Sequence, residues 1–368
     1  MDFSLDETAE ELRTLAVRVL DQEASAGRVA EHEAGGTPYD VDAWAAMAKS
    51  GLLAALLPSE VGGDGLGAVE LAVLLREVGA RVAPVPAYAT LALGAAPIAA
   101  HGTDAQRASL AGIADGSTIL TAATREPGGL DPGDPRTTAR RDGDAYVLDG
   151  VKTAVPYAAV ARHVLVPARL DGAEAAVFLV DPHAPGVTLD AHPTGTAVPA
   201  HRMALNGVRV APDAALGDGA ATTLRRFALA GAAALGSGVL TGALLLTTEH
   251  VKTREQFGRK LAQFQAVTMR VGDVYIAHRA LDAAMWGAAW RLATGDPDAD
   301  DLLAAAAYCV TEDLVSALYA CQHLHGGLGV DVTYPLHRYF AWGKHLSHLL
   351  GGPEASLDAL GALAIARS

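Results

Sequence analysis

Cysteine is scarce: the 368-residue chain carries only Cys309 and Cys321. Two cysteines make no disulfide framework, and these lack the paired spacing of a zinc site. Basic residues are outnumbered, 28 Lys and Arg against 42 Asp and Glu, for a formal net charge of −14. Sequence-independent nucleic-acid binding needs a basic field, so nucleic acid is not an expected partner. Charged residues make up only 19% against 51% hydrophobic, which excludes a disordered or solvating chain and leaves two or three domains with a large core. There is no βαβ alternation and no G-x-G-x-x-G, which excludes a doubly wound nucleotide-binding sheet. The opening stretch, MDFSLDETAEELRTL, lacks the basic start and apolar run of a signal peptide. The expectation is a reduced, soluble, cytoplasmic protein.

One run has no charge at all. From Phe227 to Thr248 the sequence is FALAGAAALGSGVLTGALLLTT, long enough to cross a bilayer as a helix. It is built from Ala and Gly with Ser and Thr interspersed, not from Leu, Ile and Phe. Small residues let helices approach closely in any all-helical core, and charged amphipathic sequence follows. The reading is a buried bundle helix, with no membrane insertion.

The pattern divides the chain into three. Residues 1–117 read as a helical domain: Leu12, Leu15, Ala16, Val19 and Leu20 recur at helical spacing, and AVELAVLLREVGARVA forms a further amphipathic helix. Residues 118–215 read as short β-type runs between turn signals, with a hairpin over Thr137–Thr153 around Arg-Asp-Gly-Asp. Residues 216–368 return to long helical segments joined by short loops, the signature of a bundle. The fold class is therefore α+β: an N-terminal helical domain, a central antiparallel β-barrel or sandwich, and a C-terminal four-helix-type bundle.

The sharpest segment is REQFGRKLAQFQAV, from Arg254 to Val267, at a helix–loop–helix junction. Arg254 is able to fork two hydrogen bonds onto a pyrophosphate, and Phe257 offers a stacking surface. Gly258 permits the sharp turn that exposes them. On pattern alone, an Arg254 solvated at a helix end with Phe257 in the core satisfies the segment as well.

These residues, taken with others in order, resemble the acyl-CoA dehydrogenase family. The segment from Arg254 is similar to that family's R-x-x-F-G…F-Q signature. His325-Gly326-Gly327-Leu328-Gly329, then Thr333-Tyr334-Pro335 and His337-Arg338-Tyr339, resemble its H-G-G-x-G…Y-P stretch. Glu126-Pro127-Gly128 resembles its T-E-P-G loop, and Asp142-Gly143-Asp144 through Gly150-Val151-Lys152-Thr153 its β-hairpin. The resemblance implies a flavoenzyme that oxidises an acyl-CoA thioester at its α,β carbons, with FAD as cofactor and an electron-transfer flavoprotein as electron acceptor. It implies FAD contacts from Arg254 and Phe257, reaching a neighbouring subunit's cofactor, and from Gly326, Gly327 and Gly329. Gln265, His323 and Thr124 are weaker candidates for the same cofactor. No metal is implied: His323 and His325 stand at i and i+2, which face apart on a helix.

The departures are as telling as the matches. In the family the proton-abstracting carboxylate is usually the Glu of a turn before the last helix; here Gly351 stands in its place. The other family position lies near the start of the long bundle helix, which has no Asp or Glu between Ala221 and Thr248. Glu354 and Asp358 are the nearest replacements, although carboxylates in a first helical turn favour the helix dipole without any catalysis. On the flavin-facing side, Arg125 replaces a Thr, Leu130 falls in a loop without its usual Ser, and Ala154-Val155-Pro156 replaces W-x-T. Proline removes both an N–H and a hydroxyl. The groups that would serve a neighbour's FAD are kept while the chain's own flavin face and base are eroded. This resembles the partner subunit of the α2β2 heteromers of actinobacterial sterol catabolism. The expected partners are an acyl-CoA substrate and a second acyl-CoA dehydrogenase-like subunit; a self-sufficient homotetramer with Glu354 as base, or a non-catalytic acyl-CoA-binding relative, are the alternatives.

Overall fold

The computed structural model describes residues 4–129, 131–171 and 175–366. Helices come first: α1 (Glu7–Glu23), α2 (Ala26–Gly35), α3 (Val41–Lys49), α4 (Ala68–Ala80), α5 (Ala96–His101), α6 (Asp104–Ala108) and α7 (Ala111–Ala114). Strands follow: β1 (Leu120–Ala122), β2 (Thr138–Asp142), β3 (Ala145–Pro156), β4 (His163–Leu170), β5 (Ala175–Val180), β6 (Val187–His192) and β7 (Ala200–Val210). The last part holds α8 (Ala220–Thr253), a ribbon of β8 (Glu255–Gln256) and β9 (Arg259–Lys260), then α9 (Gln265–Ala293), α10 (Ala299–Tyr308), α11 (Val315–His325), α12 (Leu336–Leu349) and α13 (Gly352–Ala366). The helical, β, helical order is the one expected. In space the chain groups into two compact units. One comprises His32–Gly67 and Pro84–Ala228; the other comprises the chain through Glu31, Ala68–Ala83, and Leu229 onward.

The first unit is organised by one seven-stranded sheet in the order β1-β4-β2-β3-β7-β6, with β5 also on β4. Alternating apolar residues drive it: Leu148, Val164, Val166, Phe178, Val180, Met203, Leu205 and Val208 form a continuous core. The hairpin falls where the turn signal stood, with Asp142 opposite Ala145 across Gly143-Asp144. The sheet is mixed, however, where a purely antiparallel one was expected. β1 and β2 both run parallel to β4, pairing Leu120–Ala122 with His163–Leu165 and Thr138–Ala139 with Arg169–Leu170. Two short strands thus share one edge of β4, and a buried ion pair fills the gap between them. Lys152 Nζ donates to Glu126 (2.6 Å) and to the carbonyl of Pro167 (2.7 Å), which lies on β4 between the two paired stretches.

The second unit is helical. α1 is capped by Asp6, whose carboxylate accepts the Ala9 N–H at 2.8 Å, and it buries Ala9, Leu12, Ala16 and Leu20 along one stripe. α9 buries Val274, His278, Leu281, Asp282, Met285 and Ala288 on its inner face. The π-helical turn Cys309–Leu314 joins α10 to α11 as one continuous helical run. Among the described residues two helical stretches, Ala220–Thr253 and Ala299–Val330, are long and apolar enough by length and composition to cross a membrane. The most apolar window of the first is 72% buried inside the protein, as a bundle helix requires. Polar residues tie α4, α8 and α9 together: Arg76 donates to Ser237 (3.0 Å), to Thr241 (3.1 Å) and to both carboxylate oxygens of Asp282 (3.3 Å).

Candidate functional site

The C-terminal end of α8 feeds directly into the ribbon. The Arg254 N–H donates to the His250 carbonyl (2.9 Å), which carries the helical turn one residue past α8 and sets the side chains of His250 and Arg254 on one face. Phe257 and Gly258 then turn the chain between β8 and β9 with φ of 54° and 75°. Both residues of such a two-residue turn take left-handed backbone, which glycine accepts and phenylalanine does at a cost of about 1–3 kcal/mol. The result is a phenyl ring held almost entirely in solvent, 92% exposed.

The end of α11 supplies the facing wall. Gly326 has φ 60° and ψ −136°, a conformation that ends the helix and that L side chains avoid. Gly329 is required for a different reason: a Cβ there would lie 2.4 Å from the Gln322 carbonyl oxygen. Gln322 Nε2 donates to the Gly329 carbonyl (3.1 Å), locking the loop to its helix. A Cβ built at Gly326 or Gly327 would meet nothing within 4 Å, so the backbone there stands open.

Between these walls lies a pocket of about 800 Å³ lined by His250, Thr253, Arg254, Gln256, Leu261, His323, Leu324, His325, Gly326, Gly327 and Leu328. Among the described residues no carboxylate lines it, in a chain with a net charge of −14. Among the described residues, Arg254 has no carboxylate partner. His325 is buried beneath the glycine loop. Its Nδ1 contacts the Cys321 carbonyl (2.8 Å) and its Nε2 the Tyr334 hydroxyl (3.2 Å). A carbonyl only accepts, so Nδ1 carries the proton and Nε2 accepts from Tyr334; the ring is the neutral Nδ1–H tautomer. His250 stacks on it with ring centroids 4.2 Å apart and planes 22° from parallel. Burial holds His325 below the ordinary imidazole range. Burial first, then the His325 ring and the Arg254 guanidinium, do the same to His250.

Of the residues singled out by sequence, Arg254, His323, Gly326 and Gly327 come together in this pocket. Gly329 sits behind the loop, buried against Gln322. Phe257 stands at the tip of the ribbon and Gln265 opens α9, both exposed and neither lining the pocket. Thr124 follows β1 in the sheet unit. His323 faces outward and His325 inward, as their spacing required. Among the described residues no group of three or more His, Cys, Asp or Glu is placed to hold a metal ion. Sequence reasoning missed His250; its spacing of four from Arg254 was the available signal.

The expected base position is structurally a turn. Gly351 and Gly352 have φ of 86° and 83°, two consecutive left-handed residues that end the turn after α12 and open α13. Glu354 and Asp358 lie exposed on α13, and neither lines the pocket.

In the sheet unit, the loop after β1 is knotted by Glu126. Its carboxylate accepts from Lys152, from the Arg136 N–H (2.6 Å), and from the Thr137 N–H (3.0 Å) and hydroxyl (2.6 Å). Burial alone would raise Glu126, but the Lys152 ammonium and the Thr137 donors outweigh it and hold the carboxyl below the usual glutamate range. Arg125 beside it has a buried Nε without a hydrogen-bond partner among the described residues. Ala154 adopts φ 52° within an irregular stretch of β3, and Pro156 pairs with Ala200 at that strand's end. Leu130 lies outside the described residues.

Family models match nearly the whole chain: acyl-CoA dehydrogenase N-terminal domain over residues 6–117, middle domain over 121–208 and C-terminal domain over 217–362. The acyl-CoA dehydrogenase FadE28 of Mycobacterium tuberculosis is 42% identical over 323 residues, covering 87% of this chain and 91% of that protein. FadE27 of the same organism is 33% identical, covering 98% of each. Among solved structures, a variant of the Tcur3481–Tcur3483 steroid ACAD superposes with a TM-score of 0.93 at 40% identity, covering 98% of this chain and 99% of that one. The ChsE4–ChsE5 complex from Mycobacterium tuberculosis gives a TM-score of 0.93 at 32% identity, covering 98% of each chain.

Proposed function

Because the chain belongs to the acyl-CoA dehydrogenase family, an oxidoreductase family, we propose that it acts as the base-lacking subunit of a heteromeric, FAD-dependent enzyme. The reaction is α,β-dehydrogenation of an acyl-CoA thioester. FAD, when bound, accepts the β-hydrogen as hydride. The observation that carries the reading is the guanidinium of Arg254, which has no carboxylate partner among the described residues, on a pocket that no described carboxylate lines, in a chain whose base turn is Gly351-Gly352.

The pocket fits the anionic part of that cofactor. Arg254 pairs with the diphosphate by charge-assisted hydrogen bonds, and the open backbone at Gly326 and Gly327 lets the ligand approach the N–H groups. Phe257 offers its exposed ring to the adenine side, and His323 and Gln265 border the same surface. Gly329 acts indirectly, by seating the loop on Gln322. The chain's own flavin face fits poorly: Arg125 lacks the hydroxyl of the threonine it replaces, Pro156 lacks both a hydroxyl and an N–H, and Thr124 stands one place away from the expected position. The proton acceptor then comes from the second subunit, where a carboxylate in an apolar pocket has its pKa raised toward the working pH.

The heteromeric reading is supported by likeness to proteins described as a steroid ACAD and as a two-component complex. On that basis the substrate is a bulky, steroid-derived acyl-CoA; the family resemblance adds an electron-transfer flavoprotein as acceptor and the cytoplasm as its place. The three-part division at 117/118 and 215/216 is retained, with one family model falling inside each part.

The test is the visible spectrum of the purified chain, alone and after co-expression with the acyl-CoA dehydrogenase encoded beside it. Flavin colour bleached by acyl-CoA, and turnover, are expected only with the partner. A chain that is yellow and active alone would overturn the proposal.

A further inference from the structure

We propose that His250 is a second diphosphate-binding residue of this pocket, taking up a proton as the anion binds beside Arg254 so that its imidazolium and the guanidinium hold the ligand together. This rests on the reading of the pocket as the FAD diphosphate site.

The argument is geometric. His250 and Arg254 stand one helical turn apart and both line the pocket. Among the described residues no hydrogen bond is made by either ring nitrogen of His250, whereas both nitrogens of the stacked His325 are committed, to Cys321 and Tyr334. His325 therefore stays a neutral, fixed platform. The charged and titratable groups facing His250 are Arg254 on its own helix end, His325 and His323 on α11, and Tyr334 beyond them; none is a carboxylate. Burial, the His325 ring and Arg254 all oppose a charge on His250. A diphosphate beside Arg254 reverses the electrostatic part of that opposition, so the proton is taken up on binding. A diphosphate diester does not titrate near neutrality, and the proton thus belongs to the protein.

By linkage, a group whose pKa rises on binding makes affinity grow as pH falls between its free and bound values, by up to about tenfold per pH unit. The experiment uses the deflavinated complex with its partner subunit. FAD is titrated by fluorescence between about pH 5.5 and 8, and calorimetry in two buffers of different ionisation enthalpy counts protons. The expected result is tighter binding toward low pH with net proton uptake. His250→Gln, and independently His250→Asn, should bind at the wild-type high-pH affinity with the slope and the uptake removed, while His183→Gln, at an exposed histidine that does not line the pocket, keeps both. A flat wild-type profile, or a slope that survives in the His250 variants, overturns the proposal. Arg254→Ala separates the two levels. If it weakens FAD binding while the wild type shows no proton uptake, only the role of His250 falls; if it leaves FAD binding unchanged, the diphosphate reading falls with it.

Discussion

Gly238 of α8 lies directly against the carbonyl oxygen of Arg76 in α4: a Cβ at position 238 would come within 2.0 Å of it. The contact is reciprocated, since a Cβ at Gly79 of α4 would lie 2.3 Å from the Leu235 carbonyl oxygen of α8. Two backbones at this distance explain why an uncharged helix is rich in glycine and alanine rather than leucine. The same closeness brings Arg76 within reach of Ser237, Thr241 and Asp282.

Gly238→Ala is accordingly expected to destabilise the protein. The clash is with backbone, which no rotamer change relieves, so the cost falls at about 1–3 kcal/mol or above. Thermal unfolding should show a drop of roughly 2–4 °C per kcal/mol. Gly361→Ala in α13, where a Cβ meets nothing within 4 Å, should instead leave stability unchanged or raise it by up to about 1 kcal/mol. Equal effects at both positions would refute the close-packing account.

The buried pair of Glu126 and Lys152 gives a second expectation, with a pH signature. Lys152→Met leaves a buried carboxylate without its cation and should cost about 3–5 kcal/mol in urea unfolding near neutral pH. Glu126 has a folded pKa below its unfolded value. Its contribution is therefore fully present above the ordinary glutamate value of 4.5 and is lost as pH falls through the lower, folded one. Glu126→Gln should unfold more easily at neutral pH and show a flatter loss of stability below about pH 4.5 than the wild type. Parallel acid profiles for the two proteins would contradict the assignment.

Much of this architecture was legible from short-range pattern. The Gly143-Asp144 turn, the stripe of Leu12, Ala16 and Leu20, and the long apolar helix are all written in spacings of a few residues. The parallel pairing of β1 and β2 with β4 was not legible, because it joins Leu120–Ala122 to His163–Leu165 and Thr138–Ala139 to Arg169–Leu170, segments far apart along the chain, and no local period encodes that. The same limit applies to the site. Arg254, His323 and the glycines were found as motifs, but the stack of His250 on His325 joins residues from two helices. Nor does order along the chain reveal that α1 and α4 join the C-terminal helices in one compact unit.

Arg254→Ala should weaken FAD binding by the assembled enzyme about 10–100-fold, the loss of a charge-assisted hydrogen bond worth about 1.5–3 kcal/mol. Arg254→Lys keeps the charge but not the planar fork and should recover only part of that affinity. Because Arg254 is exposed and makes no ion pair among the described residues, the melting temperature of the isolated chain should not move with either substitution. Flavin fluorescence on the complex and calorimetric melting of the chain alone provide the two readouts, and a variant that lowers stability while sparing affinity would point to a structural role instead.

Restoring a carboxylate at the empty base position tests whether the missing base is the sole deficit. Gly351→Glu places a side chain on a residue with φ 86°, at a cost of about 1–2 kcal/mol in stability. If the flavin face of the same chain is also unsuited to FAD, as Arg125 and Pro156 indicate, the purified variant should remain colourless and inactive alone despite its new carboxylate. Glu354→Gln should likewise change the turnover of the assembled enzyme little, since Glu354 is solvent-exposed on α13 and accounted for by the helix dipole. Acyl-CoA-dependent dye reduction by the Gly351→Glu chain without a partner would show that loss of the base alone had silenced it. A large rate loss from Glu354→Gln would instead make that residue the base.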